Sequence, residues 1–525
     1  MLRFSSVSRK PLRLMLQIVV AAAGVAACAA QSASHEARTE AAMRAAEANT
    51  GSLRAFLVQM PKGADLHLHL GGAVYPETYV REAGEDGLCI DVVTETLDRS
   101  MAANGKCIAG SDAASLPQKQ SLYDAFIDAA SMRDFVPTAQ QSGHDHFFAT
   151  FEKVAGVTKR HRGEWLDEVA SRAAAQNEQY VEVMETLDDG SGAGLGARLG
   201  IQIPDNATEA DFASVREALL RGHLRDGVAT ARQMLDEAEA QRNMLEHCAD
   251  AKLAQPACKV ELRYLFQVKR GIQRESVFAQ TLLAFEVASA DPRVLGLNYV
   301  MPEDGYNSMH DYALQMRWLG WFHTLYPRVH IALHAGELAP GMVPPDGLRD
   351  HIRLAVEQAH AERIGHGVDI GWEDNSAALL REMAAKHVMV EINLTSNDVI
   401  LNVKGKDHPL PLYRAAHVPV ALSTDDEGVA RIDLTHEYMR AVEDFGLHYA
   451  DLKQMARTGV AHTFLPGQDL WAQPDSFTRT SAACAQDEAG GDKPSARCAE
   501  FLSKSEHAQQ EWELERRLRA FESQY

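Results

Sequence analysis

Two histidines separated by one residue, His67 and His69, stand in the run Ala64-Asp65-Leu66-His67-Leu68-His69-Leu70. In an extended chain, residues i and i+2 share a face, so both imidazoles converge on one point, as a metal ion requires. Two unpaired histidines buried in a core would otherwise cost free energy. A second group, His334-Ala335-Gly336-Glu337, adds a third imidazole with a carboxylate just beyond it. Gly336 lets the backbone approach a ligand closely. The third is Arg363-Ile364-Gly365-His366-Gly367, a histidine flanked by glycines, and the fourth is Ser423-Thr424-Asp425-Asp426. Two adjacent carboxylates are costly without a cation or a proton to hold them. Each group alone also fits a turn or a helix cap.

The elements around these groups explain how they could meet. Eight short runs read as strands: Asp65–Leu70, Tyr180–Glu185, Val260–Gln267, Val294–Val300, Val329–His334, Arg363–His366, Val388–Asn393 and Val418–Thr424. Most are unbroken apolar or β-branched runs, as expected of strands buried on both faces. Helical stretches such as Ser214–Gln241 and Leu348–His360 separate them. Eight strand–helix units predict an α/β fold, a (β/α)8 TIM barrel. The four groups then lie at the C-terminal ends of four different strands, where such barrels build active sites. Residues 51–470 form the predicted barrel domain. An insertion after the first strand, about 82–120, carries Cys89 and Cys107, and a C-terminal extension spans 471–525 and ends in a charged helix at Glu511–Ser523. His144-Asp145-His146 repeats the His-x-His pattern in a helical context, where i and i+2 do not share a face, and reads as structural. His323, His387 and His462 read as surface or packing residues.

The chain has 525 residues, 46% apolar and 24% charged, which excludes a disordered chain or a disulfide-only scaffold. Its formal charge of −21 argues against nucleic-acid binding, which needs clustered Lys and Arg. Residues 1–27 differ from the rest. Arg3, Arg9, Lys10 and Arg13 precede a mostly apolar run, Leu14–Ala27, which is too short to span a membrane comfortably and fits a signal peptide. Val25-Ala26-Ala27-Cys28 resembles a bacterial lipobox, with Cys28 as the lipidated first residue of the mature chain. An ordinary leader cut near Ala-x-Ala is the alternative. Losing four positive charges would take the mature chain from −21 to −25. Residues 28–50 then read as a lipid-anchored tether, and the protein as exported, periplasmic or anchored at the outer membrane. Six further cysteines fall into sequence-local pairs, Cys89–Cys107, Cys248–Cys258 and Cys484–Cys498, which an oxidising compartment would join. Locality is the ground for that pairing, since six cysteines allow fifteen connectivities.

With these motifs in hand, the chain resembles the adenosine deaminase family of metal-dependent hydrolases over roughly residues 55–470. The resemblance rests on Met60-Pro61-Lys62-Gly63-Ala64-Asp65-Leu66-His67-Leu68-His69, His334-Ala335-Gly336-Glu337, Gly365-His366-Gly367 and Ser423-Thr424-Asp425-Asp426-Glu427-Gly428. The Met-Pro-Lys-Gly lead-in, the cysteine-bearing insertion and the leader resemble the secreted branch related to adenosine deaminase growth factors. The resemblance implies one zinc ion per chain on His67, His69, His334 and Asp425. It implies that His366 orients and deprotonates a water, that Glu337 protonates purine N1, and that Asp426 bonds purine N7. The implied reaction turns adenosine or 2′-deoxyadenosine into inosine or 2′-deoxyinosine plus ammonia. Such chemistry needs a raised pKa at Glu337 and an ionised Asp425.

One departure stands out. Where the better-known members carry an Asp that contacts the ribose 5′-hydroxyl, this chain has Gly71. The loop Val300-Met301-Pro302-Glu303-Asp304-Gly305 matches a segment whose backbone contacts purine N3. Adenine, AMP or another aminopurine is the alternative substrate. An AMP enzyme should show clustered Lys or Arg at the mouth, whereas Arg431 and Lys404 read as isolated. A non-catalytic binding barrel would be marked by a lost ligand or a lost Glu337, and all seven expected residues are present. The partner expected is a small purine nucleoside, with membrane attachment through the lipid anchor only. The sequence leaves a monomer and a homodimer both open.

Overall fold

The computed structural model describes residues 35–99, 102–103, 106–108 and 110–525. The leader and Cys28 lie outside the described residues. Eight strands form one sheet in sequence order: β1 (Gly63–His69), β2 (Glu178–Glu185), β3 (Glu261–Lys269), β4 (Val294–Val300), β5 (His330–Ala335), β6 (Arg363–His366), β7 (Met389–Ile392) and β8 (Val420–Leu422). Every neighbouring pair is parallel. The sheet returns on itself just past β8. There the Asp425 N–H donates to His67 O at 2.8 Å and the His69 N–H donates to Asp425 O at 3.3 Å. The chain is a (β/α)8 barrel, and its strands are close to those expected. β2, β5, β6, β7 and β8 are buried almost throughout, as strands covered on both faces are.

The helices that matter for the site are α1 (Thr50–Gln59), α2 (Gly143–Val154), α3 (Tyr306–Leu325), α4 (Leu394–Leu401), α5 (Tyr449–Ala461) and α6 (Glu506–Glu522). The expected helix 214–241 is two helices, Glu209–Arg221 and Asp226–Leu245. Gly222 ends the first, and His223 then takes a positive φ of 67°, a geometry no helix can continue through. The expected helix 348–360 is shorter, His351–Glu357, led by a 3-10 turn at Pro345–Leu348.

The expected polar helix near the start of the chain and the charged helix at its end are both present and pack on the barrel. Residues 35–46 are helical and packed on the barrel, with Thr39 and Met43 fully buried. Glu40 accepts the Tyr449 N–H at 2.7 Å, and Glu36 pairs with Lys453 at 2.7 Å. An Ala- and Glu-rich segment reads as polar because one large apolar residue, Met43, beside Ala42 and Ala46 leaves no marked stripe. The buried face of α6 carries leucines beside Glu511, Glu515 and Glu522. Its Leu514 and Leu518 pack with Ala64, Leu66, Tyr180 and Met389 and close the N-terminal end of the barrel. Each such leucine contributes about 1.5–3 kcal/mol of burial.

Three disulfides join Cys89 to Cys107, Cys248 to Cys258 and Cys484 to Cys498. The first pins the insertion, which begins only after the helix Pro76–Glu85 and consists of two short antiparallel ribbons, Cys89–Asp91 with Thr96–Asp98 and Ala102–Ala103 with Lys106–Cys107. Among the described residues, no helix is long and apolar enough to cross a membrane.

Candidate metal centre and active site

The alternation of β1 sends His67 and His69 to the same side, and β5 ends one residue after His334. His334 Nε2 stands 3.2 Å from His67 Nε2 and 3.2 Å from His69 Nε2. Asp425 Oδ1 lies 3.6 Å from His67 Nε2 and 3.3 Å from His69 Nε2. Donors held about 2.0–2.1 Å from a tetrahedral zinc ion stand about 3.4 Å apart. Four donor atoms at those spacings, three of them imidazole nitrogens that cannot all donate to one another, fit one divalent cation. His366 comes nearly as close, with Nε2 3.9 Å from Asp425 Oδ2, and joins His67, His334 and Asp425 in one metal-sized cluster. His69 Nε2 stands closer to Asp425 than His366 Nε2 does, 3.3 against 3.9 Å.

Each donor is fixed from behind. His67 Nδ1 meets Glu391 at 2.6 Å, His69 Nδ1 meets Gln267 Oε1 at 2.9 Å, and His334 Nδ1 meets Asn298 Oδ1 at 2.8 Å. Those bonds place the ring protons on Nδ1 and turn bare Nε2 atoms inward, the arrangement that orients metal ligands. Ser396 donates to Asp425 Oδ2 at 2.6 Å. Behind Glu391 runs a buried ionic chain. Arg363 Nε lies 2.8 Å from Glu391 Oε1, and Arg363 Nη2 donates to Glu182 at 2.6 Å. Glu182, Gln267, Asn298, Arg363 as a buried cation, Glu391, Ser396 and Asn397 were missed in the sequence. The available signal was a polar residue inside a strand that should be apolar on both faces.

Burial opposes the charge on Asp425, but the adjacent His67 and His69 rings outweigh it and hold the carboxyl well below the usual range. Glu337 moves the other way. Burial first, then the charges of Asp425 and Glu303, push its carboxyl well above the ordinary value. Its Oε1 faces His366 Nε2 at 3.7 Å. Burial lowers His366 to about 4, so its ring is neutral. As the Asn397 amide is oriented, its Oδ1 takes the Nδ1 proton at 2.9 Å and leaves Nε2 bare. Burial and the neighbouring Asp425 charge raise Asp426 to about 8, and Asp426 Oδ1 has no hydrogen-bond partner. Gly72 makes room for that carboxylate, because a Cβ there would fall 1.5 Å from Asp426 Oδ1.

His366 and Asp425 both take positive φ, 69° and 60°, at their strand ends. That geometry is costly for a residue with a Cβ and marks positions held for function. Beyond the strand ends lies an apolar cluster of Phe147, Ala339, Val368, Ile400, Leu401 and Val429. It joins α2 and α4 to the segments after β5, β6 and β8 and gives the mouth a wall suited to a flat apolar ring. The helical His-x-His does not act as a pair. His144 bridges to Asp304 at 3.1 Å, while His146 stacks on Phe135 at 4.1 Å. Arg431 is not isolated, since it forms a two-pronged pair with Glu77 at 2.8 and 3.2 Å. His387 and His462 share the carboxylate of Asp475.

Residues 229–471 match the family model described as adenosine deaminase. That stretch holds the groups at 334–337, 365–367 and 423–428 and omits His67 and His69. The chain is 29% identical over 212 residues to an adenosine deaminase of Shewanella loihica, covering 40% of this chain and 52% of that protein. It is 31% identical over 214 residues to an adenosine deaminase of Klebsiella pneumoniae, covering 41% and 53%. The chain thus spans about half the length of the curated relatives it matches. In fold it is similar to a zinc-bound amidohydrolase from Burkholderia ambifaria, with a TM-score of 0.50 and 16% identity over 80% of this chain and 89% of that one. On these sequence matches, residues 229–471 are similar to the adenosine deaminase family.

Proposed function

We propose that the protein is a zinc-dependent aminohydrolase that deaminates adenosine and 2′-deoxyadenosine outside the cytoplasm. The observation that carries this reading is the convergence of His67, His69, His334 and Asp425 beside a protonated Glu337 that faces a neutral His366. A zinc ion held by those four ligands supplies an activated water nucleophile near neutral pH. Glu337 donates its proton to purine N1, which draws electron density from C6 and opens that carbon to attack. His366, neutral and with Nε2 turned inward, takes the proton the water gives up. Asp426 carries the proton that a hydrogen bond to N7, an acceptor, requires. C6 becomes tetrahedral, His366 passes its proton to the amino group, the C6–N bond breaks and ammonia leaves, and the C6 hydroxyl proton returns to Glu337 as the carbonyl forms. The apolar wall at the mouth excludes water from the ring.

A second aminopurine is favoured by one observation. Position 71 is Gly, and a Cβ there would meet nothing nearer than Tyr79 Oη at 3.8 Å. The site offers no carboxylate at that point for the ribose. Export and a lipid anchor at Cys28 are supported by the pattern of residues 1–28 and by the three disulfides, which belong to an oxidising compartment. The test is ammonia release from adenosine, deoxyadenosine, adenine and AMP in parallel, by zinc-loaded protein lacking the leader. Turnover of the nucleosides supports the reading. Turnover of adenine or AMP alone replaces the substrate and keeps the chemistry. Zinc bound in a 1:1 ratio with no turnover of any of the four overturns the aminopurine assignment.

A further inference from the structure

Glu303 belongs to the loop after β4, a segment expected to act through its backbone. Its side chain does something else. It is 1% exposed and points back beneath the turn that follows β5. Oε1 accepts the Gly336 N–H at 3.0 Å, and Oε2 accepts the Glu337 N–H at 2.9 Å. The carbonyl at the start of the same turn, His334 O, accepts from Arg270 Nη1 at 3.1 Å. Arg270 is itself fully buried, with Nη2 3.8 Å from Glu303 Oε2. One buried ion pair therefore grips both ends of His334-Ala335-Gly336-Glu337.

The carboxylate has no freedom of its own. His351 Nδ1 meets Oε1 at 2.6 Å, and the His351 ring lies flat on Tyr312, 3.6 Å between centroids. Tyr312 in turn donates to His351 O at 2.9 Å. The turn is equally confined. Gly336 has φ of 72°, and a Cβ there would fall 2.3 Å from Asp369 Oδ1.

We infer that Glu303 is a positioning residue for the reaction: it clamps the Gly336–Glu337 backbone and so aims the Glu337 carboxyl at the substrate ring. The inference rests on reading Glu337 as the acid. It follows from geometry, because a misplacement of about 1 Å at a reacting group costs about 100-fold in rate. Glutamine is nearly the same shape but presents one oxygen and one NH2 group. It can satisfy only one of the two N–H groups and sets a donor against the other.

The test is Glu303→Gln and Glu303→Asp, each compared with the parent for kcat, KM, zinc content and crystal structure. Glu303→Gln should lower kcat by about 10–100-fold with KM within about twofold and zinc content unchanged. Its crystal structure should show the Gly336–Glu337 peptide rotated and the Glu337 carboxyl moved away from His366. Glu303→Asp, one methylene shorter, should lose one backbone bond and fall the same way. Should both destabilise the fold, His351→Gln removes one restraint and keeps both backbone bonds, and it should lower kcat by less than about tenfold. A lowered melting temperature with unchanged kcat would make Glu303 merely structural and overturn the inference. So would an unmoved turn in the Glu303→Gln crystals. A parent protein inactive on every aminopurine would sink the proposed function, while a displaced turn in the variant would still uphold the clamp.

Discussion

Glu391 and Arg363 meet at 2.8 Å with neither side chain exposed, and the other oxygen of Glu391 holds His67 at 2.6 Å. His67, at the barrel mouth, is thus linked by hydrogen bonds and ion pairs to Glu182 near the barrel floor. Each charge in the series carboxylate, guanidinium, carboxylate has an opposite or hydrogen-bonding partner. Breaking it at one point leaves an uncompensated buried charge. Glu391→Gln should lower zinc affinity by about 10–100-fold, read by competition with a chelator. Affinity equal to that of the parent would mean that His67 needs no carboxylate behind it.

The pH profile follows from two opposed shifts. The reaction needs His366 neutral, which holds above about pH 4, and Glu337 protonated, which holds up to its raised value. kcat/KM for the free enzyme should therefore fall on the acid side toward pH 4, and fall on the alkaline side as Glu337 ionises and as Asp426, near pH 8, loses the proton it offers to N7. A profile that already declines between pH 5 and 7 would show that Glu337 titrates as an ordinary carboxyl and cannot serve as the acid.

Position 71 tests the sugar. The space beside it is open, so Gly71→Asp should be accommodated and give a nucleoside hydroxyl a charged partner, worth about tenfold in KM. Adenosine should gain and adenine should not. Equal changes for both would place the new carboxylate away from the ribose.

The neighbouring glycine predicts the opposite. Gly72→Ala drives a methyl group into Asp426, since the contact would be 1.5 Å. The carboxylate must rotate out of the site, and kcat/KM should fall by about 100-fold with zinc still bound. Full activity in this variant would remove Asp426 from the binding of N7.

The C-terminal extension predicts a stability effect. Cys484 and Cys498 are fully buried beside Leu470, Leu502 and Trp512. They close a loop of 14 residues in sequence separation, so Cys484→Ser with Cys498→Ser should cost about 3 kcal/mol. A lowered melting temperature would show it. An unchanged one would mean that the packing of α6 alone holds the extension.

How much of this was legible depends on whether a residue leaves a pattern in the chain. His67 and His69 do, because spacing of two on a strand fixes a shared face. His334, His366 and Asp425 do, because each ends a strand run, and β1 to β8 were visible as apolar stretches. Glu391, Gln267, Asn298 and Glu303 leave no spacing signature. Their partners are 28 to 324 residues away in sequence, and only the closed barrel brings them together. The helix break at His223 turned on one backbone angle. The segment 35–46 and α6 looked like polar appendages, because a few buried side chains among many charges make a weak stripe. What those charges do, as with Glu36 and Glu40 on α5, is decided by the surface they land on.

The central claim is that Glu337 acts as the acid on an aminopurine held beside a zinc site. The most direct test is ammonia release from adenosine by zinc-loaded parent protein and by Glu337→Gln, at matched zinc content. The account predicts turnover in the parent and a loss of at least about 1,000-fold in the variant, since general acid catalysis and its positioning contribute on that scale. Equal turnover in the two proteins would contradict it.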